Sequence, residues 1–113
     1  MKKIEAIIRP SKLEELKEAL LKIQVNGITI TQVMGCGKQL GWKEFYRGSE
    51  VILNVLPKVK LELVVSEDNF EQTINLILEV SKTGEVGDGK IFVSTIDDAY
   101  RIRTGETGDA ALN

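Results

Sequence analysis

One pattern constrains this chain more than any other: strand-like alternation, a helical stretch and a second strand-like run occur twice, with a polar excursion between the two sets. In the first set, Ile4, Ala6 and Ile8 alternate with Lys3, Glu5 and Ile7 over residues 2–9, and Pro10 stops the run. Ser11 and Glu14 form an S-x-x-E capping box. Leu13, Leu16, Ala19, Leu20 and Ile23 then recur at helical spacing, which predicts an amphipathic helix over 12–24 ended by Asn26-Gly27. The β-branched run from Ile28 to Met34 predicts the second strand. In the second set, strand character returns from Val51 to Leu56. After Pro57, Val59, Leu61, Leu63 and Val65 alternate with Lys60, Glu62 and Val64. Ser66 is the predicted cap of a second helix, with Glu67 and Asp68 in the first turn where the dipole favours them. Phe70, Ile74, Ile77, Leu78 and Ser81 form its inner face, and a strand over 90–96 closes the set.

Two β-α-β units in this order predict an α+β, ferredoxin-like fold, with both helices on one face of a four-stranded antiparallel sheet. At 113 residues the chain is expected to be one domain, 1–113, with a long loop at about 37–55, a glycine loop at 83–90 and a C-terminal segment at 97–113. The second sheet face has no helix to cover it. A solvated face is polar at every second position. Here Ile7 and Ile8 are adjacent, as are Val64 and Val65, and Phe92 sits between Ile91 and Val93. The bare face is therefore expected to be buried against other copies of the chain.

Composition removes several functions. A net charge of −2 gives no general attraction to nucleic acid or anionic lipid. The N-terminal M-K-K-I-E-A lacks a secretory apolar region, and no apolar run approaches membrane-spanning length. A single cysteine, Cys36, excludes an internal disulfide and fits a reducing compartment such as the cytoplasm. There is no histidine, which removes the commonest general base and most transition-metal sites. A divalent ion here would be a hard one held by oxygens.

The stretch Thr83–Lys90, T-G-E-V-G-D-G-K, carries the strongest local chemistry. Gly84, Gly89 and Lys90 meet the first part of the G-x-x-x-x-G-K phosphate-loop pattern, but Ile91 stands where a Ser or Thr would hold Mg²⁺. A helix precedes the loop and a strand follows it, the reverse of a P-loop, so this is not a P-loop NTPase. Two readings of the residues stand: a plain helix-to-strand turn with Lys90 solvated, or a loop whose bare N–H groups turn toward an anion. Lys90, Arg101 and Arg103 favour the anion, since the two arginines of an extended R-I-R project to one side. Ordinary surface pairs of those arginines with Asp97, Asp98 or Glu106 are the alternative. The long loop carries Trp42, Phe45 and Tyr46, half of the chain's aromatics, beside Arg47 in a polar, glycine-rich setting. A plain hairpin extension is one reading; the aromatics favour the other, a partner-binding surface.

Together M-K-K-I-E-A-I-I-R-P, G-x-G-K-Q, Y-R-G-S-E, L-P-K-V-K-L-E-L-V-V, T-G-E-V-G-D-G-K-I-F-V-S and R-I-R-T-G-E resemble the PII nitrogen-signalling proteins over nearly the whole chain. The resemblance implies a homotrimeric, non-enzymatic sensor of nitrogen, carbon and energy state. ATP and ADP would compete in clefts between subunits, and 2-oxoglutarate would bind beside Mg-ATP at the base of the long loop, the T-loop. It further implies that Gly87, Asp88, Gly89 and Lys90 wrap the phosphates with Arg101 and Arg103 of a neighbouring subunit, and that Gly37 and Lys38 reach them too. Thr29 and Val64 would contact the adenine, Gln39 would help hold Mg²⁺ and 2-oxoglutarate, and Lys58 would pair with the acid's distal carboxylate.

The sequence departs from the usual pattern at three places: Lys38 replaces the usual Arg, Cys36 a Phe, and Trp42 a small or polar residue. Val51 stands at the tyrosine that many bacterial members uridylylate, whereas Ser49 matches the serine that cyanobacterial and plastid members phosphorylate. The implied partners are target proteins such as an ammonium channel or N-acetylglutamate kinase, met in the cytoplasm or a plastid stroma. A small phosphate-handling enzyme of acylphosphatase or ATPase-like kind is the alternative on the same fold, opposed by the missing histidine. An RNA-recognition module shares the element order but needs stacking aromatics on its central strands, which here offer Ile, Leu and Val.

Overall fold

The computed structural model describes residues 1–36, 44–46, 49–51 and 55–112. Along the chain they form β1 (Lys2–Ile8), α1 (Leu13–Lys22), β2 (Ile28–Cys36), β3 (Glu44–Tyr46), β4 (Ser49–Val51), β5 (Val55–Val65), α2 (Glu67–Ser81) and β6 (Lys90–Thr95), with a short 3-10 helix at Gly108–Leu112. Four strands make one antiparallel sheet in the order β2-β5-β1-β6, while β3 and β4 pair only with each other. This is the ferredoxin-like double β-α-β arrangement, and the excursion between β2 and β5 carries the small hairpin.

Register explains the core. Ile4 faces Leu63, Ala6 faces Leu61 and Ile8 faces Val59 across β1 and β5, and all six are buried. Because strand side chains alternate, these rows share one face. Leu16 and Leu20 of α1 and Ile77 of α2 join them in a single cluster. Each such aliphatic side chain contributes about 1.5–3 kcal/mol on burial. The opposite face is less apolar than its sequence suggests. Its centre is an ionic group: Lys3 Nζ lies 3.1 Å from Glu5 Oε1 and 3.8 Å from Glu62 Oε2, and Lys60 Nζ lies 3.1 Å from Glu62 Oε1. Ile7 and Val64 flank it half-buried, and Phe92 is 52% exposed.

Four local expectations change. Pro10–Lys12 forms a 3-10 turn that delays α1, whose N-cap is Lys12, with no side-chain capping bond. Glu14 meets Lys17 Nζ at 3.2 Å one turn on, so the S-x-x-E box does not close. The helix stops before Asn26-Gly27. Gln24 takes φ +66, its N–H donates to Leu21 O (2.9 Å), and the Val25 N–H donates to Leu20 O (3.0 Å). That pair of bonds satisfies the last carbonyls, and a glycine usually makes it. On α2, Leu78 is exposed, and Thr73 occupies the core in its place. Thr73 Oγ1 donates to Asn69 O at 2.7 Å, which makes its burial tolerable. Pro57 does not interrupt β5: it sits opposite Met34 of β2, beyond the point where β1 ends at the Ile8–Val59 pair. A proline fits there because one flank of the strand is unpaired.

Candidate functional site

The second helix ends at Ser81, and the chain reaches β6 through the glycine loop. Gly84, Gly87 and Gly89 have φ of +89°, +104° and +100°, a region that side-chain-bearing residues adopt at a cost. Gly89 is further constrained, because a Cβ there would stand 1.7 Å from Ile7 O. Asp88 organises the turn. Its Oδ2 accepts the Thr83 N–H at 2.8 Å and the Gly84 N–H at 2.9 Å, while Oδ1 accepts the Thr83 hydroxyl at 2.5 Å and Arg9 Nε at 2.9 Å. The Thr83 hydroxyl and then Arg9 hold the Asp88 carboxyl well below the usual carboxylate range; burial opposes them, and the two backbone amides add to the lowering.

Lys58 joins this end from β5, donating Nζ to Gly87 O at 2.5 Å. Its stem crosses Gly35 of β2, where a Cβ would meet Lys58 Cγ at 2.9 Å, so the glycine at 35 makes room for the lysine. Lys58, Gly87, Asp88, Gly89 and Lys90 are therefore gathered at one end of the sheet, where Lys90 pairs with Ile7. The base of the excursion, at Cys36 and Val55, lies at this same end. Gly37, Lys38, Gln39, Trp42 and Arg47, and the side chains of Phe45, Tyr46, Ser49 and Val51, lie outside the described residues.

Thr29 and Val64 are elsewhere. Thr29 pairs with Glu62 and Val64 with Lys3, at the far end of β5. Lys58 and Val64 are about 20 Å apart at a rise of about 3.3 Å per residue. Thr29 and Val64 line a cavity of about 230 Å³ with Lys3, Glu62, Ala111 and Leu112. Lys60, then Lys3, lowers the Glu62 pKa, and Glu5, then Glu62, raises that of Lys3.

The C-terminal segment reaches the same end. Arg101 Nη2 points at the carbonyls of Ala110 (3.4 Å) and Ala111 (3.5 Å). The expected extended R-I-R is not observed. The Gly105 N–H donates to Arg101 O and the Arg101 N–H to Glu106 O, so residues 101–106 form a tight turn closed by the Tyr100–Thr107 bridge. Gly105, at φ +74°, permits that closure. In this turn Ile102 is wholly exposed and the two arginines diverge in role: Arg101 folds back half-buried, and Arg103 stays at the surface.

Sequence reasoning missed Arg9. It is a second cation, with Lys58, that braces the glycine loop, and its Nη2 also donates to Val86 O at 2.8 Å. The only signal was its place directly before Pro10, which keeps residue 9 extended at φ −65°, ψ 137°.

The chain is thus a ferredoxin-like α+β domain with a glycine loop clamped at one end of its sheet. Among known families, the nitrogen regulatory protein P-II model matches residues 1–106. The chain is 56% identical over 112 residues to a nitrogen regulatory protein P-II of Bradyrhizobium diazoefficiens, a match covering 99% of this chain and all of that one. The P-II proteins of Rhizobium meliloti and Haemophilus influenzae match over the same shares at 54% and 51% identity. The chain belongs to the P-II family.

Proposed function

We propose that this chain is a non-enzymatic nitrogen regulator. It binds ATP or ADP and, with Mg-ATP, 2-oxoglutarate, and it acts on target proteins through the excursion between β2 and β5. Its family membership supports the regulatory role. The observation that carries the ligand reading is the glycine loop: three left-handed glycines, a carboxylate already occupied within the loop, and Lys58 and Lys90 beside it. An anion meets backbone N–H groups and cations there, with the Asp88 charge offset by Arg9.

The division of candidate residues between two ends of the sheet supports a site shared by copies of the chain. Lys58 and Gly87–Lys90 of one copy would face Thr29, Val64, Arg101 and Arg103 of the next, and a head-to-tail contact of this kind closes into a ring such as a homotrimer. Arg103 then needs no partner in its own chain. Among the described residues no group of three or more acidic or cysteine side chains could hold a metal, so Mg²⁺ would be held mainly by ligand oxygens with Gln39. A dicarboxylate beside a triphosphate needs such a cation between them. The partner would be a regulated enzyme, channel or transcription regulator met by Trp42, Phe45, Tyr46 and Arg47, and Ser49 would be the residue modified if the loop is phosphorylated. Such a phosphate adds close to two negative charges.

Titration calorimetry with ATP, ADP and 2-oxoglutarate, with and without Mg²⁺, tests the reading, with light scattering for the copy number. Micromolar-range ATP heats and 2-oxoglutarate heats that vanish with chelator are expected. A monomer without nucleotide affinity would overturn it, and steady turnover above about one per second would point to an enzyme.

A further inference from the structure

We infer that Arg9 is the positioning residue of the anion-binding loop: it holds Asp88 and Val86 so that backbone and lysines, and not a free carboxylate, meet the anion. The inference rests on the phosphate reading above. Arg9 follows β1 directly, and Pro10 keeps it extended, so its side chain leaves from the fixed end of a central strand. It grips the loop at two points two residues apart, through Nε to Asp88 Oδ1 at 2.9 Å and Nη2 to Val86 O at 2.8 Å. An ionised carboxylate has about four acceptor sites. Those of Asp88 meet four donors, two from Thr83, one from Gly84 and one from Arg9. Asp88 is thereby a brace inside the loop and has no oxygen left over for a ligand.

Charge makes the same point. A bare carboxylate between Gly87 and Gly89 would repel a polyphosphate, and at close range that repulsion is large. Arg9 neutralises it through contacts with Asp88 and Val86, whereas Lys58 binds the carbonyl of Gly87 between them. A lysine at position 9 would carry the charge but, as a single-headed donor, could not serve both Asp88 and Val86.

The test measures ATP binding by calorimetry in the full chain and in Arg9→Met, Arg9→Lys, Asp88→Asn and the Arg9→Met/Asp88→Asn double variant, with folding checked by circular dichroism. Hydrogen exchange of the Gly84–Gly89 amides is followed in each. Arg9→Met is expected to weaken ATP about tenfold or more, as loss of a charge-assisted brace should, and Arg9→Lys to recover part of that. In the Asp88→Asn background the further loss of Arg9 should change affinity less than it does in wild type, because only the Val86 contact remains to be lost. The loop amides should exchange faster in Arg9→Met while the β1 amides do not. Equal losses in both backgrounds would show that Arg9 touches the nucleotide itself, and wild-type affinity in Arg9→Met would end the proposal. A wild-type chain that binds no ATP would refute the functional reading, and the exchange comparison would still decide whether Arg9 holds the loop.

Discussion

The chain leaves its two helices through connections that occupy matching places in the repeated unit and sit at opposite ends of the sheet. After α1, residues 23–27 lead to β2 with one left-handed residue, Gln24, and two backbone bonds that close the helix. After α2, residues 82–89 lead to β6 with three left-handed glycines and a carboxylate that binds the turn together from inside. The first connection ends a helix and does little else. The second leaves its helix without such closure, Lys82 being extended, and its internal bonds shape a loop. The difference shows how a duplicated architecture separates duties: the geometry is shared, and the internally braced glycine loop is built at one copy of it. The first connection still has a use at its own end, since Gly27 lines the cavity with Thr29 and Val64.

The sharpest way to break this comparison is to place one methyl group at each connection. Gly89→Ala should destabilise the protein by about 3 kcal/mol or more, because the new Cβ meets the Ile7 carbonyl at a left-handed φ. Urea unfolding reads the loss, and ATP affinity should collapse with it. Next in size is Asp88→Asn. With its pKa depressed in the folded state, the wild-type aspartate contributes stability that is fully present above the ordinary carboxylate pKa of 3.8 and is lost as pH falls below it. The variant should be less stable than wild type at pH 7, and the gap should narrow steadily in unfolding curves taken below pH 4. A gap independent of pH would remove Asp88 from its bracing role.

Smaller effects sharpen the first connection. Gln24→Gly should stabilise the chain by about 0.5–1 kcal/mol, since relief of left-handed strain outweighs the added freedom of the unfolded glycine. A thermal melt that moves down would show that the Gln24 side chain has a contact of its own. Gly27→Ala, with nothing within 4 Å of the added Cβ and no left-handed φ, should change stability by less than about 0.5 kcal/mol. It is the matched control for Gly89→Ala, and a large loss there would erase the distinction between the two ends.

The fold was legible because its signals are local and periodic: the alternation at Ile4, Ala6 and Ile8 and at Leu61, Leu63 and Val65 directly names the buried rows. Helix ends were less legible. Asn26-Gly27 has the composition of a stop, but α1 ends at Lys22, two residues before the expected end at 24, because backbone bonds to Leu20 and Leu21 stabilise Gln24 in an unfavoured conformation. Pro57 and the R-I-R segment failed for one reason, that residue type does not reveal whether a neighbouring strand is present or a turn is closed downstream. At the candidate site, the glycines and Lys90 could be read from spacing. Arg9 could not, since 79 residues separate it from Asp88 and only the sheet brings them together.

Pro57 has a consequence beyond its tolerance in β5. Past the Ile8–Val59 pair, β2 and β5 continue as a two-stranded ribbon whose β5 flank has lost its neighbour. An open flank of this kind invites an unrelated strand to add to it, and such addition is how exposed edges begin to aggregate. An incoming chain would find at position 57 no N–H to accept and a ring in its path. On its β5 flank the ribbon therefore resists the generic backbone pairing that would make that edge sticky to every extended chain it meets.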